Sequence, residues 1–377
     1  MNKSQYRIAR RQFLQGVGGA TLALAAPMLI TTRKARAAEE LTMLAWYGHG
    51  EPDIVAAFES AHNVKIRPKY YTGGDNMMAL VAQSPPGTYD LILSDAEYTT
   101  ALQQAGYVEE LNPADYPLDD YWQEYQNFPG NWSDGKLYSL IIRFGYLGIS
   151  YNADALSEDE ARSYNVLWSD KVKGKVGHFD WHLPNLGCLS LKDGNRQPGP
   201  YELSDEQWGK LQETTLSLKP QVRGFYDYGG TLSSLRNGDV LAMCGIGDWI
   251  TGLLQRDGAR VNTVVPEEGG IQWSESYCIG KGTQKYELAK QFIQYITAPE
   301  GQVKSAMMQA YPALIPTQGG WKKLNEAFPE EAKRQGMVLN GRSVLDDYRE
   351  GKIHFRQWPV NQSLEDWNDF WTEYKNA

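Results

Sequence analysis

The sequence predicts an α/β protein with mainly parallel sheets, and two observations support this prediction. First, strand and helix patterns alternate: residues 41–46 and 64–70 are strand-like and flank a helical pattern at 51–62, and another strand is predicted at 89–93. Strands separated by helices in this order are typical of βαβ units. Second, 340 residues follow an N-terminal segment that does not belong to the fold, and this length favours two domains over one.

That N-terminal segment, residues 1–37, is typical of an export signal. Residues 10 and 11 form a twin-arginine motif, an apolar stretch follows at 16–30, and Ala-Arg-Ala at 35–37 fits a signal-peptidase site. The apolar stretch is about 15 residues long, shorter than the roughly 20 that span a bilayer, which disfavours a retained membrane anchor. Twin-arginine signals address proteins that are exported folded. We therefore expect a periplasmic protein that begins at Ala38 and is not inserted in a membrane.

The charge balance argues against nucleic acid as a partner. Residues 1–37 hold seven basic and no acidic side chains, so the remainder keeps 30 Lys and Arg against 46 Asp and Glu, a formal charge of −16. An acidic surface repels nucleic acid and anionic membranes and attracts cationic ligands over long range. Solubility alone is the simpler explanation of the net charge.

The three cysteines, Cys188, Cys244 and Cys278, are predicted to be buried small hydrophobic residues. Cys244 and Cys278 lie in apolar, strand-like runs, and the sequence has no Cys-x-x-Cys motif. An oxidising compartment allows one disulfide, although an odd number leaves at least one thiol over.

The segment 46–50, Trp-Tyr-Gly-His-Gly, directly follows the first predicted strand and precedes a helix. Ligands of parallel sheets bind beyond the carboxyl ends of the strands. Trp46 and Tyr47 are therefore predicted to belong to a ligand-binding loop.

Several segments carry a family resemblance through their order and spacing. They are 41–46, 89–94, 135–140, 148–152, 238–243, 268–273 and 287–296. Together they resemble the periplasmic solute-binding proteins of polyamine ABC transporters, the spermidine/putrescine-binding family, over residues 41–319. The resemblance implies a two-lobed periplasmic binding protein of type II, in which each lobe is a mainly parallel sheet flanked by helices and crossing strands join the lobes. It implies that lobe 1 comprises 38–143 and 275–320, and lobe 2 comprises 144–274 and 321–377.

The resemblance also implies a ligand pocket between the lobes. Trp46, Trp273, Glu275 and Tyr311 match the family's pocket positions, and Asp180 stands where the family keeps a carboxylate. An ammonium group leaves water only where carboxylates and aromatic faces replace its hydration. We therefore expect a cationic amine such as putrescine or spermidine, and we expect Glu275→Gln to abolish binding with little effect on melting.

Departures from the family pattern weaken the assignment of the ligand. Leu183 replaces a second acid and Gly245 replaces a pocket tryptophan, so Asp95 and Asp248 are additional candidates for ligand contacts. Arg143, near the predicted lobe crossing, would suit a ligand carboxylate or form a hinge salt bridge. The alternative ligand is therefore an amino compound bearing a carboxylate, opine-like or guanidino.

Two other classes of function are weaker. His178, Asp180 and His182 alternate at the period of a strand and could bind zinc or ferric iron as a metal receptor. Acids among aromatic residues also suit a secreted glycosidase, but the sequence has no zinc-protease, phosphate-loop or nucleophile-elbow motif. We predict no enzyme and no cofactor, but a monomer that closes on its ligand and delivers it to an inner-membrane ABC permease.

Overall fold

The computed structural model describes residues 38–377, and the predicted signal lies outside them. The strands are β1 Glu39–Ala45, β2 Val64–Tyr70, β3 Leu91–Asp95, β4 Trp132–Ser133, β5 Lys136–Leu137, β6 Leu140–Asn152, β7 Val176–Phe179, β8 Val222–Tyr226, β9 Ala242–Gly247, β10 Val261–Val264, β11 Gly270–Ile279 and β12 Ile353–Phe355. The α-helices are α1 Pro52–His62, α2 Gly74–Ala82, α3 Ala96–Gln104, α4 Gln123–Gln126, α5 Glu158–Ala161, α6 His182–Lys192, α7 Asp205–Ser217, α8 Tyr228–Asn237, α9 Asp248–Arg256, α10 Tyr286–Thr297, α11 Pro299–Met307, α12 Gln318–Ala327, α13 Pro329–Arg334, α14 Leu345–Arg349 and α15 Leu364–Asn376.

One continuous sheet has the strand order β2-β1-β3-β11-β6-β9-β7-β8, with β10 beside β6 and β12 beside β11. The strands at each end are parallel, since β1 pairs in parallel with β2 and β3, and β7 with β8 and β9. The two central strands, β6 and β11, are antiparallel to each other. All of β11 and nearly all of β6 are buried, as expected for strands covered on both faces. This is the α/β, two-lobed binding-protein fold that the sequence predicts.

Two of the three predicted lobe boundaries, after residues 143 and 274, fall inside the central strands β6 and β11, and the third, after residue 320, falls inside α12. Arg143 of β6 lies directly opposite Glu275 of β11 in the antiparallel register, so the chain would cross between lobes at one pair of neighbouring residues. In the C-terminal segment, α12 contacts α11, whereas α15 contacts α6 and α7. The division into two lobes at these positions remains a prediction.

The structure confirms the first two predicted strands and the predicted helix between them. Strand β2 begins and ends at the predicted residues. The third strand differs: it was predicted at 89–93 and is found at Leu91–Asp95. Pairing explains the shift, because β3 lies between β1 and β11, and β11 extends the pairing to Glu275 opposite Asp95. Asp95 therefore lies at the last position of a strand rather than in a loop.

Glycine is required at Gly48, where the binding loop turns. Its φ of 105° is in the left-handed region, and a Cβ there would lie 2.6 Å from the Cβ of Ala310. An L side chain would suffer both backbone strain and a clash at this position. The loop that carries Trp46 and Tyr47 is therefore held close to the segment that leads to Tyr311.

The C-terminal helix α15 is a core element. Ser363 and Asp366 form a capping box at its start, and Trp367, Trp371 and Tyr374 are buried. The spacing of Leu364, Trp367 and Trp371 at three and four residues in the sequence predicts this packing role, and the burial of Trp367 and Trp371 confirms it.

The three cysteines are all buried and free, as the sequence predicts for small hydrophobic residues. Among residues 38–377, no helix combines the length and the apolar character required to cross a membrane.

Candidate functional site

A cleft of about 830 Å³ opens where the parallel strands of both sheet ends terminate. It is lined by residues that directly follow β1 and β7, by the end of β3, and by β11. This position at the carboxyl ends of strands is where parallel sheets bind ligands. The volume is in the range of small-molecule sites.

The lining is aromatic and acidic. The rings belong to Trp46, Tyr47, Tyr71, Tyr98, Phe179, Trp181, Tyr226, Tyr228, Trp249, Trp273, Tyr311 and Trp371. The carboxylates belong to Asp75, Asp95, Asp180, Asp227 and Glu275, and two basic side chains, Arg356 and Lys375, accompany them. The negative groups therefore outnumber the positive ones among the lining residues of the described chain.

Seven of the eight sequence-predicted contact residues line this cleft, and the eighth does not. Those lining it are Trp46, Tyr47, Asp95, Asp180, Trp273, Glu275 and Tyr311. Asp248 begins α9 and lines a second cavity of about 530 Å³, where it pairs with Arg334 at 3.0 Å. Trp249 and Trp273 line both cavities, so their rings separate the two. Gly245 stands where the family has a pocket tryptophan. Near it, Trp249 lines the cleft, whereas Asp248 does not.

Glu275 lines the cleft, and both of its carboxylate oxygens already have partners within the protein. Its Oε1 accepts a hydrogen bond from the Tyr311 hydroxyl at 2.7 Å, and its Oε2 lies 3.0 Å from His49 Nε2 and 3.3 Å from Arg143 Nε. Arg143 is fully buried and does not line the cleft. Of the two sequence-based interpretations of Arg143, the structure therefore shows the salt bridge.

The ionisation of this cluster follows from burial and charge. Burial acts to raise the pKa of Glu275, but the contacts with His49 and Arg143 act more strongly and hold it below its ordinary value. Burial lowers the pKa of His49, against the attraction of Glu275. Glu275 is therefore the charged partner of the buried Arg143 guanidinium at neutral pH.

Asp95 lies in a second buried cluster. Its Oδ1 is 3.0 Å from Arg356 Nη2, its Oδ2 accepts from Trp46 Nε1 at 3.2 Å, and Arg356 also binds Glu97. The guanidinium of Arg356 stacks 4.3 Å from the centre of the Trp181 ring. Burial raises the pKa of Asp95 to about 8, because the single charge of Arg356 opposes that effect only in part and Glu97 adds a like charge.

Asp180 is engaged by the C-terminal helix. Lys375 Nζ donates to both carboxylate oxygens, at 2.9 and 2.7 Å, and Trp371 Nε1 donates to Oδ1 at 2.9 Å. The side chains of Asp180 and Lys375 are 38% and 33% exposed, so the pair remains open to the cleft.

The metal alternative is not assembled in the structure. His178 is buried and bonds to Asn185 and Tyr374, while Asp180 is held by Lys375 and His182 lies on the cleft. Burial lowers the pKa of each of these two histidines to about 4. Within residues 38–377 no group of three or more His, Cys, Asp or Glu side chains is placed to hold a metal ion.

Sequence reasoning missed the cleft residues of the C-terminal segment. Arg356, Trp371 and Lys375 reach the cleft because β12 pairs with β11 and α15 packs on α6. Nothing in their local sequence signals this placement. Trp181 also lines the cleft, and its position beside Asp180 in a predicted strand end was the one available signal.

Two lobes joined by crossing strands, with a ligand-sized cleft at the strand ends, define a solute-binding protein. The chain belongs to the family described as bacterial extracellular solute-binding protein, whose model matches residues 53–319.

Its relatives agree with this class. It is 24% identical to spermidine/putrescine-binding periplasmic protein 1 of Haemophilus influenzae over 92% of each chain. The fold is similar to that of the spermidine/putrescine ABC transporter substrate-binding protein PotD of Streptococcus pneumoniae, with TM-score 0.72, 16% identity and coverage of 90% of this chain and 99% of that one. It is also similar to the binding protein MotA of A. tumefaciens B6 in complex with glucopine, with TM-score 0.66, 17% identity and coverage of 89% and 99%.

Proposed function

We propose that this protein is the periplasmic receptor of an ABC importer for a cationic amine of the putrescine or spermidine type, and that it catalyses no reaction. One observation carries the proposal: the cleft lining combines twelve aromatic residues with five carboxylates against two basic side chains. Aromatic faces and carboxylates are the groups that replace water around an ammonium group. The aromatic walls also suit the methylene chain between two amines.

The export signal predicted at residues 1–37 supports the periplasmic assignment, and two curated relatives are named as periplasmic binding proteins. The ligand would bind as the two lobes close around the cleft, and the closed form would be the one that the permease recognises. We propose that the receptor acts as a monomer.

A second candidate is an amino compound that also bears a carboxylate. The specific observation in its favour is that Arg356 and Lys375 line the cleft, and both can donate hydrogen bonds to a carboxylate. The glucopine complex of the similar MotA structure is consistent with this candidate.

The test is a thermal-shift screen followed by calorimetry on the purified protein. Putrescine and spermidine are expected to raise the melting temperature by about 5 °C at about 100 times their Kd. Sugars should give no shift, and chromogenic glycosides should not be hydrolysed. A response to sugars with silence toward every amine would contradict the proposal. Tighter binding of 4-aminobutyrate or glucopine than of putrescine would favour the second candidate.

A further inference from the structure

The cleft already contains an ammonium group that belongs to the protein. Lys375, in the last turn of α15, donates from Nζ to both oxygens of Asp180, and Trp371, one turn earlier, donates to one of them. All three residues line the cleft. We propose that Lys375 is a specificity-determining residue, an internal ammonium that occupies Asp180 and disfavours a second ammonium group on the ligand. This inference rests on the proposed function and, of its two candidate ligands, favours the amino compound that also bears a carboxylate.

The physical argument is one of charge and donor geometry. Asp180 accepts three hydrogen bonds in the ligand-free protein, and its charge is balanced by Lys375. A ligand ammonium that approached Asp180 would meet a like charge and would have to displace Lys375. The lysine ammonium has three donors, and two of them are used on Asp180. This end of the cleft therefore offers a donor, which suits a hydroxyl or carboxylate on the ligand better than a second amine.

The backbone at Lys375 is held in place, so the pair does not depend on a loose chain end. Lys219 Nζ donates to the backbone carbonyls of Tyr374 and Lys375 at 2.8 and 2.7 Å. A cation at these last carbonyls stabilises the end of a helix. Trp367 and Tyr374 anchor the same helix in the core.

The second basic side chain of the cleft supports the same interpretation. Arg356 lies beside Asp95 as Lys375 lies beside Asp180. Both cations lie beyond residue 319, where the match to the family model ends. The C-terminal segment thus adds two positive charges to the acidic lining that the family-matched region supplies.

The test compares two ligands of equal chain length. Putrescine carries an ammonium group at each end, and n-butylamine carries one. Calorimetry on Lys375→Met is expected to show putrescine binding about tenfold tighter than in the original protein, because Asp180 becomes available to its second ammonium. The Kd of n-butylamine should change by less than about twofold. The ratio of the putrescine Kd to the n-butylamine Kd should therefore fall. Lys171→Met removes an exposed lysine that is paired with Glu160 elsewhere on the surface and should leave that ratio unchanged.

A double-variant cycle then tests whether Asp180 stays paired with Lys375 when the ligand binds or instead contacts the ligand ammonium directly. Asp180→Asn leaves Lys375 without its partner and is expected to weaken putrescine binding. Asp180→Asn combined with Lys375→Met should return the Kd close to the original value. If the double variant stays as weak as Asp180→Asn alone, Asp180 contacts the ligand ammonium directly and the inference is wrong.

An unchanged ratio of putrescine to n-butylamine affinity in Lys375→Met would also overturn the inference while leaving the proposed function standing. Absence of binding of any amine to the original protein and to all variants would instead remove the proposed function, and the inference with it.

Discussion

At the scale of single residues, the acids of the cleft differ in what they can do. Glu275 is saturated by Tyr311, His49 and Arg143, so it has little capacity left for a ligand. Its main physical role is to balance Arg143, which is fully buried. The carboxylates that remain without a basic partner, Asp75 and Asp227, are exposed on the cleft wall.

Glu275→Gln is therefore expected to lower the free energy of unfolding, by about 3 kcal/mol, because it leaves a buried guanidinium without its counter-charge. This differs from the expectation based on sequence, which foresaw little effect on melting. Urea denaturation of the ligand-free protein measures the change. The control is Glu213→Gln on the exposed face of α7, which should stay within about 0.5 kcal/mol of the original. Equal stability of the two variants would show that Arg143 does not depend on Glu275.

Asp95 predicts a pH dependence of ligand binding. Burial raises its pKa to about 8 against the opposing charge of Arg356, while Glu97 and Glu275 add like charges, so the ligand-free protein holds a proton there at neutral pH. A bound ammonium favours the carboxylate form, lowers that pKa and releases the proton. Amine affinity should therefore rise with pH up to about 8 and level off above it.

Calorimetry in two buffers with different heats of ionisation measures this proton release directly. Asp95→Asn should abolish the release and flatten the pH profile. Binding by the original protein without proton release near pH 7 would show that the ligand does not sense Asp95.

Some of the candidate residues could be predicted from the sequence, because their positions depend only on the neighbouring segments of the chain. Trp46 directly follows a strand, and such a position can be recognised from the alternation of strand and helix. Asp180 also follows a strand, but it was predicted from the family resemblance. Their partners could not be found this way. His49 lies 226 residues from Glu275, and Lys375 lies 195 residues from Asp180, so only the assembled sheet brings these charges together.

At the scale of elements, the bounds were predicted correctly where an element's own hydrophobic pattern sets them. Helix α1 and strand β2 end where the sequence indicates, and the buried stripe of α15 follows its helical spacing. Strand β3 was misplaced by two residues because its ends depend on pairing with β11. The short strand β12 had no detectable signal, although it is the element that carries Arg356 to the cleft.

At the scale of the whole molecule, net charge should affect how fast a ligand arrives. Residues 38–377 carry a formal charge of −16, and the cleft lining is itself acidic. A field of this sign accelerates the encounter with a cationic ligand. Salt weakens it, since the Debye length falls from about 30 Å at 0.01 M to about 8 Å at 0.15 M.

The association rate constant of spermidine is therefore expected to fall several-fold between those two ionic strengths, and that of n-butylamine should fall less. Stopped-flow tryptophan fluorescence can follow both reactions, because Trp46 and Trp273 line the cleft. Equal salt dependence for the two ligands would show that long-range attraction does not guide binding.

The position of β11 has a consequence for how the protein is made. This strand completes the sheet beside β3, and the two meet at Glu275 opposite Asp95, a separation of 180 residues. During synthesis the edge of β3 that pairs with β11 therefore has no partner until most of the chain has left the ribosome. Pairings of such long range form slowly. The folded-protein export route that the arginine pair at residues 10 and 11 predicts would give this chain time to complete its sheet before it leaves the cytoplasm.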